Sequence, residues 1–144
     1  MLMGTIQNQI KDAMRAKDSV QLETLRYVLS TIKYVQIEKQ RELTDEEIIE
    51  VLGKEVKKRK EAIDLFRKSG RDVLVTEEEQ KLVFISRLLP EQLSQDEVTK
   101  VVGEVVASVG KENMGMVMKE VMARVKGKAD GKMVSDIVRA QLAA

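Results

Sequence analysis

The chain contains no histidine, no cysteine and no tryptophan. Without histidine, imidazole-based acid–base catalysis and histidine metal ligation are excluded. Without cysteine there is neither a disulfide framework nor thiol chemistry, which fits a reducing compartment. Only Tyr27, Tyr34, Phe66 and Phe84 are aromatic, so single-stranded nucleic acid is not expected to stack on aromatic platforms here. Long apolar runs are missing too. They reach about four residues, against the ~20 that a membrane-spanning helix needs. The stretch from Met1 to Lys17 lacks an uninterrupted apolar segment, so no secretory signal is read and a cytoplasmic location is expected. Charge of one sign is scarce as well. The chain has 25 basic and 24 acidic residues, a net charge of +1, so any nucleic-acid contact must come from local patches.

What is present is helical periodicity. The 144 residues make one domain, or a core domain with a small appendage. Ile6, Ile10, Ala13 and Met14 lie on one face of a first helix ending near Ala16, and Asp18 or Ser19 can cap the next. Leu22, Leu25, Val28, Leu29, Ile32 and Val35 give the second helix, reaching about Lys39. Thr44-Asp45-Glu46-Glu47 reads as a capping box opening a third helix, with Ile48, Leu52, Val56, Ile63 and Phe66 on its apolar face and Gly70 as its stop. Arg71 to Val75 reads as a connector. Thr76-Glu77-Glu78-Glu79 reads as a second capping box, opening a fourth helix that Pro90 should end. Ser94-Gln95-Asp96-Glu97 is a third. It opens a helix bearing Val98, Val101, Val102, Val105 and Val109, whose β-branched residues tolerate a strand but whose cap and spacing favour helix. Asn113 can cap a sixth helix. The expected fold is all-α: an N-terminal bundle of about four helices over residues 1–93, then a small three-helix tail over 94–144.

Two local features point towards ligands. In the sixth helix an apolar stripe runs through Met114, Val117, Met118, Val121, Met122 and Val125, and stops at Lys126-Gly127. Gly127 suits a left-handed residue past a helix end, and Asp130 is placed to cap a seventh helix carrying Val134, Ile137, Val138 and Leu142. Lys126, Lys128 and Lys132 therefore crowd a tight turn. There an anion can meet lysines and the free N–H groups of a helix start. Solvated lysines on a capped corner are the plainer reading. The second feature is Arg59, which falls on the apolar stripe of the third helix. It must snorkel, face a ligand or pair with an acid, for which Glu23 or Glu38 on the second helix could serve.

These segments resemble a known family. Met114-Gly115 through Val125-Lys126-Gly127-Lys128-Ala129-Asp130-Gly131 is similar to the tail motif of the GatB/YqeY domain. That domain closes the B subunit of the glutaminyl- and asparaginyl-tRNA amidotransferase and also occurs alone as YqeY-like proteins. Ala13-Met14-Arg15-Ala16-Lys17, Thr24-Leu25-Arg26, Thr44-Asp45-Glu46-Glu47, Lys57-Lys58-Arg59, Phe66 with Gly70-Arg71, and Leu89-Pro90-Glu91-Gln92-Leu93-Ser94 resemble the free-standing form in order and spacing. The chain departs from the pattern at Val73-Leu74-Val75, where an acidic Asp-Leu pairing nearer to Arg71 is expected. The resemblance covers essentially the whole chain and implies a helical bundle, a three-helix tail and a connection to tRNA. The kinase-like and glutaminase parts of the amidotransferase are absent, so a carbon–nitrogen ligase label would describe relatives. The expected function is a non-catalytic tRNA-binding module. Its phosphate contacts would come from Lys126, Lys128 and Lys132, with Lys57, Lys58, Arg59 and Arg71 assisting. The alternative is an adaptor docking on translation or amidotransferase proteins through an exposed apolar patch on the sixth helix. No nucleophile–base pair, metal-ligand set or phosphate loop is found, so no catalytic residue, metal or other cofactor is expected.

Overall fold

A computed structural model describes all residues, Met1–Ala144, as seven helices without a strand. The fold is all-α. Its chain forms two compact units, Met1–Leu89 and Pro90–Ala144.

The first unit holds α1 (Leu2–Ala16), α2 (Ser19–Lys39), α3 (Asp45–Lys68) and α4 (Asp72–Ser86). α4 packs on α3 and α2, and α1 packs on α2. The core gathers Ile6, Leu25, Val28, Ile32, Ile48, Leu52 and Ile85, with Leu43 and Leu88 closing it. Asp18 caps α2 by accepting the Gln21 N–H. Thr44 and Glu47 complete the reciprocal capping box of α3. Glu47 also binds Arg41 at 2.7 Å and Lys39 at 2.7 Å. Hydrogen bonds from Arg41, then from Lys39, then from the Thr44 amide hold its carboxyl well below the usual carboxylate range.

Three helix ends in this unit share one closure. The amides of Asp18, Arg41 and Arg71 reach back to the carbonyls of Ala13, Gln36 and Phe66. The residue before each amide is left-handed: Lys17 and Gln40 at φ 54°, Gly70 at φ 72°. This closure is where glycine is favoured; Lys17 and Gln40 adopt it with a Cβ.

One expected boundary is corrected. The connector expected over residues 71–75 is helix instead: α4 begins at Asp72 and runs through them. The Thr76 hydroxyl donates to the Asp72 carbonyl inside the helix, so it caps nothing. The closure at Gly70 turns the chain straight into α4 and lets Val75 reach the interior. The far end also differs: α4 stops at Ser86, and Arg87 and Leu88 form a turn and Leu89 a bend before Pro90.

The second unit holds α5 (Gln95–Val109), α6 (Met114–Val125) and α7 (Gly131–Ala143), each packed on the other two. Its core is Val98, Val102, Val105, Val117, Val121, Val125, Val134, Ile137 and Val138. Valine is a mediocre helix former, but the i, i+3 and i, i+4 spacing puts all of these on facing stripes, and burial outweighs propensity. Ser94 caps α5 and Asn113 caps α6. No helix is long and apolar enough to cross a membrane.

Candidate nucleic-acid interface

The α6–α7 corner is a built turn. Val125 is buried as the last residue of α6, and Lys126 leaves the helix in extended conformation at φ −53°, ψ 124°. Gly127 then takes φ 74°, a value that L side chains resist. The Lys128 amide closes on the Val125 carbonyl at 2.8 Å. A second segment braces the turn from outside. The Leu93 amide donates to the Lys128 carbonyl at 2.7 Å, and Gln92 Nε2 donates to the Gly127 carbonyl at 2.9 Å. Both turn carbonyls are therefore engaged, and Lys126, Lys128 and Lys132 are exposed around them. Lys128 and Lys132 form no ion pair. Asp130 occupies the N-cap of α7, but its side chain accepts no capping hydrogen bond. The first amides of α7 thus have no side-chain partner.

The apolar stripe of α6 is narrower than its sequence implied. Val117, Val121 and Val125 are buried and Met118 is half-buried, whereas Met114, Met116 and Met122 are 42%, 53% and 37% exposed. Met114, Met118 and Met122 form the row beside the valines, one residue of rotation away from the core.

The other predicted contacts lie in the first unit. Lys57 and Lys58 are exposed on α3, and Arg71 is exposed at the start of α4. Arg59 is not with them. Its Nη1 donates to Glu78 Oε2 at 2.9 Å, its Nη2 lies 4.0 Å from Glu55, and its guanidinium sits over the Tyr27 ring at 5.4 Å. Neither Glu23 nor Glu38 is its partner. Glu78 comes from α4, the helix whose start the sequence misplaced. Lys81 completes the cluster at 3.4 Å from Glu78. A charged cluster of this kind is invisible to sequence alone, because α3 and α4 supply its charges and α2 supplies Tyr27. The misplaced arginine was its one signal. No group of three Asp or Glu side chains is placed to hold a metal ion.

The profile of the family described as Yqey-like protein matches residues 3–142. Similar curated proteins are fungal. An uncharacterized protein of Schizosaccharomyces pombe is 34% identical over 93 residues, 65% of this chain and 76% of the relative. The altered inheritance of mitochondria protein 41, mitochondrial, of Kluyveromyces lactis is 30% identical over 146 aligned positions, 99% of this chain and 76% of the relative. The protein of that name in Lachancea thermotolerans is 28% identical over 130 positions, 88% of this chain and 70% of the relative.

Proposed function

The chain belongs to the Yqey-like protein family, and from that premise we propose that it is a non-catalytic module that binds tRNA through the α6–α7 corner. The observation that carries this is the braced turn. Its two carbonyls are held by Leu93 and Gln92, so Lys126, Lys128 and Lys132 stand on a fixed backbone beside the uncapped amides of α7. Helix starts and lysines both favour phosphate. Contacts of this kind position a backbone without reading bases, so selectivity for tRNA comes from its folded shape. Lys57, Lys58 and Arg71 supply a second exposed set, while Arg59 is held by Glu78. The resemblance of the tail motif to the amidotransferase region that grips tRNA supports the same reading. The proposed location is cytoplasmic; the mitochondrial label in the fungal names belongs to those relatives.

The test is anisotropy titration of labelled total tRNA across salt, with duplex DNA as control. Binding is expected to be tRNA-selective and salt-dependent. Each lysine removed at the corner should lower the salt slope by about 0.7–0.9. Unchanged affinity and slope in Lys128→Ala/Lys132→Ala would sink the proposal.

A second reading rests on the exposed Met114, Met116 and Met122. Methionine-rich surfaces adapt to varied partners, and this one fits an adaptor docking on translation or amidotransferase proteins. Met114→Gln/Met122→Gln, which adds no charge, separates the two readings: it abolishes protein capture if the adaptor reading holds and leaves tRNA affinity intact if the corner lysines carry binding.

A further inference from the structure

The first unit contains a cleft of about 400 Å³, lined on α2 by Glu23, Thr24 and Tyr27, on α3 by Glu55, Lys58, Arg59, Ala62 and Phe66, and on α4 by Glu78 and Lys81. This volume lies in the range of small-molecule sites. Lys58 is the one lining residue it shares with the exposed set of the tRNA reading; the rest of the cleft belongs to neither reading above.

Its anomaly is Glu55. The residue is 6% exposed, and its Oε2 is buried without a hydrogen-bond partner. The nearest cation, Arg59 Nη2, lies at 4.0 Å, beyond hydrogen-bonding distance. Arg59 is directed to Glu78 instead, and its own Nε has no partner. A buried carboxylate oxygen without a donor is costly, and such an atom in a native protein calls for a partner or a solvent bridge. Glu55, Lys58, Ala62 and Phe66 follow one another at helical spacing, so they share one face of α3. Lys58 is exposed and makes no ion pair. Tyr27, Ala62 and Phe66 give the cleft apolar wall.

We propose that this cleft binds a small zwitterion carrying a protonated primary amine and an anionic group, of the size of a free amino acid. The ammonium donates to Glu55, with Glu23 as a second acceptor. The anionic end meets Lys58, and the carbon skeleton lies against Tyr27 and Phe66. A purely anionic ligand is disfavoured by Glu23, Glu55 and Glu78. A metal ion is disfavoured because the acids are not grouped to hold one. The cleft's own charges balance, three acids against Lys58, Arg59 and Lys81, so a ligand without net charge leaves that balance intact.

The test uses the full ¹⁵N-labelled chain, titrated with L-leucine, 4-aminobutanoate, butylamine and N-acetyl-L-leucine. The amine-bearing probes should shift the amides of residues 23–27, 55–66 and 78–81 saturably, with a Kd of about 1 mM or tighter. N-acetyl-L-leucine, which has lost the ammonium but kept the carboxylate and the skeleton, should bind at least about tenfold more weakly. Glu55→Gln should weaken every amine-bearing probe by a similar factor. Lys58→Ala should weaken leucine and spare butylamine. Glu55→Gln relieves a buried charge and is expected to fold. Ala62→Leu fills the cleft without touching a charge and should abolish binding, which keeps the test independent of any one acid. Failure of all the amine-bearing probes to saturate, or equal binding by Glu55→Gln, overturns the proposal and leaves a solvent bridge between Glu55 and Arg59.

Discussion

Replacing Arg59 by methionine tests the electrostatics of the first unit directly. The side chain keeps some of its packing but loses its charge. Glu78 is then left with Lys81 alone, at 3.4 Å, and Glu55 with no cation at all. Arg59, Glu55 and Glu78 have side chains only 14%, 8% and 18% exposed, so solvent screens them little. Removing one member of a buried pair costs about 3–5 kcal/mol. Residual exposure and the surviving Lys81 favour the lower end, and the lost contact with Tyr27 adds about 0.5–1 kcal/mol. We expect a loss of about 3–4 kcal/mol. The chain has no tryptophan, so urea unfolding is followed by circular dichroism at the helix band. With a slope of about 2 kcal/mol per M, the midpoint should fall by roughly 1.5–2 M. The triple variant Arg59→Met/Glu55→Gln/Glu78→Gln should recover more than half of the loss, because the stranded carboxylates are gone. A single variant within about 0.3 M of the parent, or a triple variant no better than the single, would refute the reasoning.

Other outcomes follow from particular contacts. The folded state holds Glu47 below its ordinary titration range, so its contribution is fully present above about pH 5 and fades as pH falls below about 4. The stability difference between the parent and Glu47→Gln, read from urea midpoints across pH, should be constant near neutrality and vanish in acid. Lys17→Gly and Gln40→Gly, at φ 54°, should each stabilise by about 0.5–1 kcal/mol, since glycine takes the left-handed closure without strain. Thermal melts that fall instead would show that the side chains matter more than the backbone. Gly127→Ala places a Cβ at φ 74° and should cost about 1–2 kcal/mol. It should also weaken tRNA binding, if the turn presents the lysines. Asn113→Ala removes the cap of α6 at a cost of about 1 kcal/mol, measurable by the same melts.

Much of this fold was legible because its helices are amphipathic and their caps are local. Asp18, Thr44 with Glu47, Ser94 and Asn113 all cap where sequence placed them. The start of α4 was not legible. Thr76 with its acids looks like a cap, but a cap motif is only a local preference. The closure at Gly70 and the burial of Val75 carry the helix through it. The exposure of Met114 and Met122 was open in the sequence, where an exposed patch on this helix stood only as an alternative, for a related reason. Side chains one residue of rotation from a buried stripe share its period, and only the packed neighbours decide which row faces water. Arg59 could be recognised as anomalous, since a charge on an apolar stripe demands an explanation. Its partner could not, because Glu78 reaches it only through the packing of α4 on α3. Glu55 gave no signal at all. On α3 it is one acid among many, and it becomes unusual only once α2 and α4 close over it.

The bond between the Leu93 amide and the Lys128 carbonyl has a consequence for observation. Leu93 precedes α5 and lies outside every helix, so this single contact protects its amide hydrogen against exchange with deuterium. Neighbouring amides without such a bond exchange freely. The exchange rate at Leu93 is therefore a clock for opening of the lysine turn, placed 35 residues away along the chain from that turn's carbonyl. A ligand that steadies the turn will slow this clock without touching Leu93, and a substitution that loosens the turn will speed it while the helices keep their own protection.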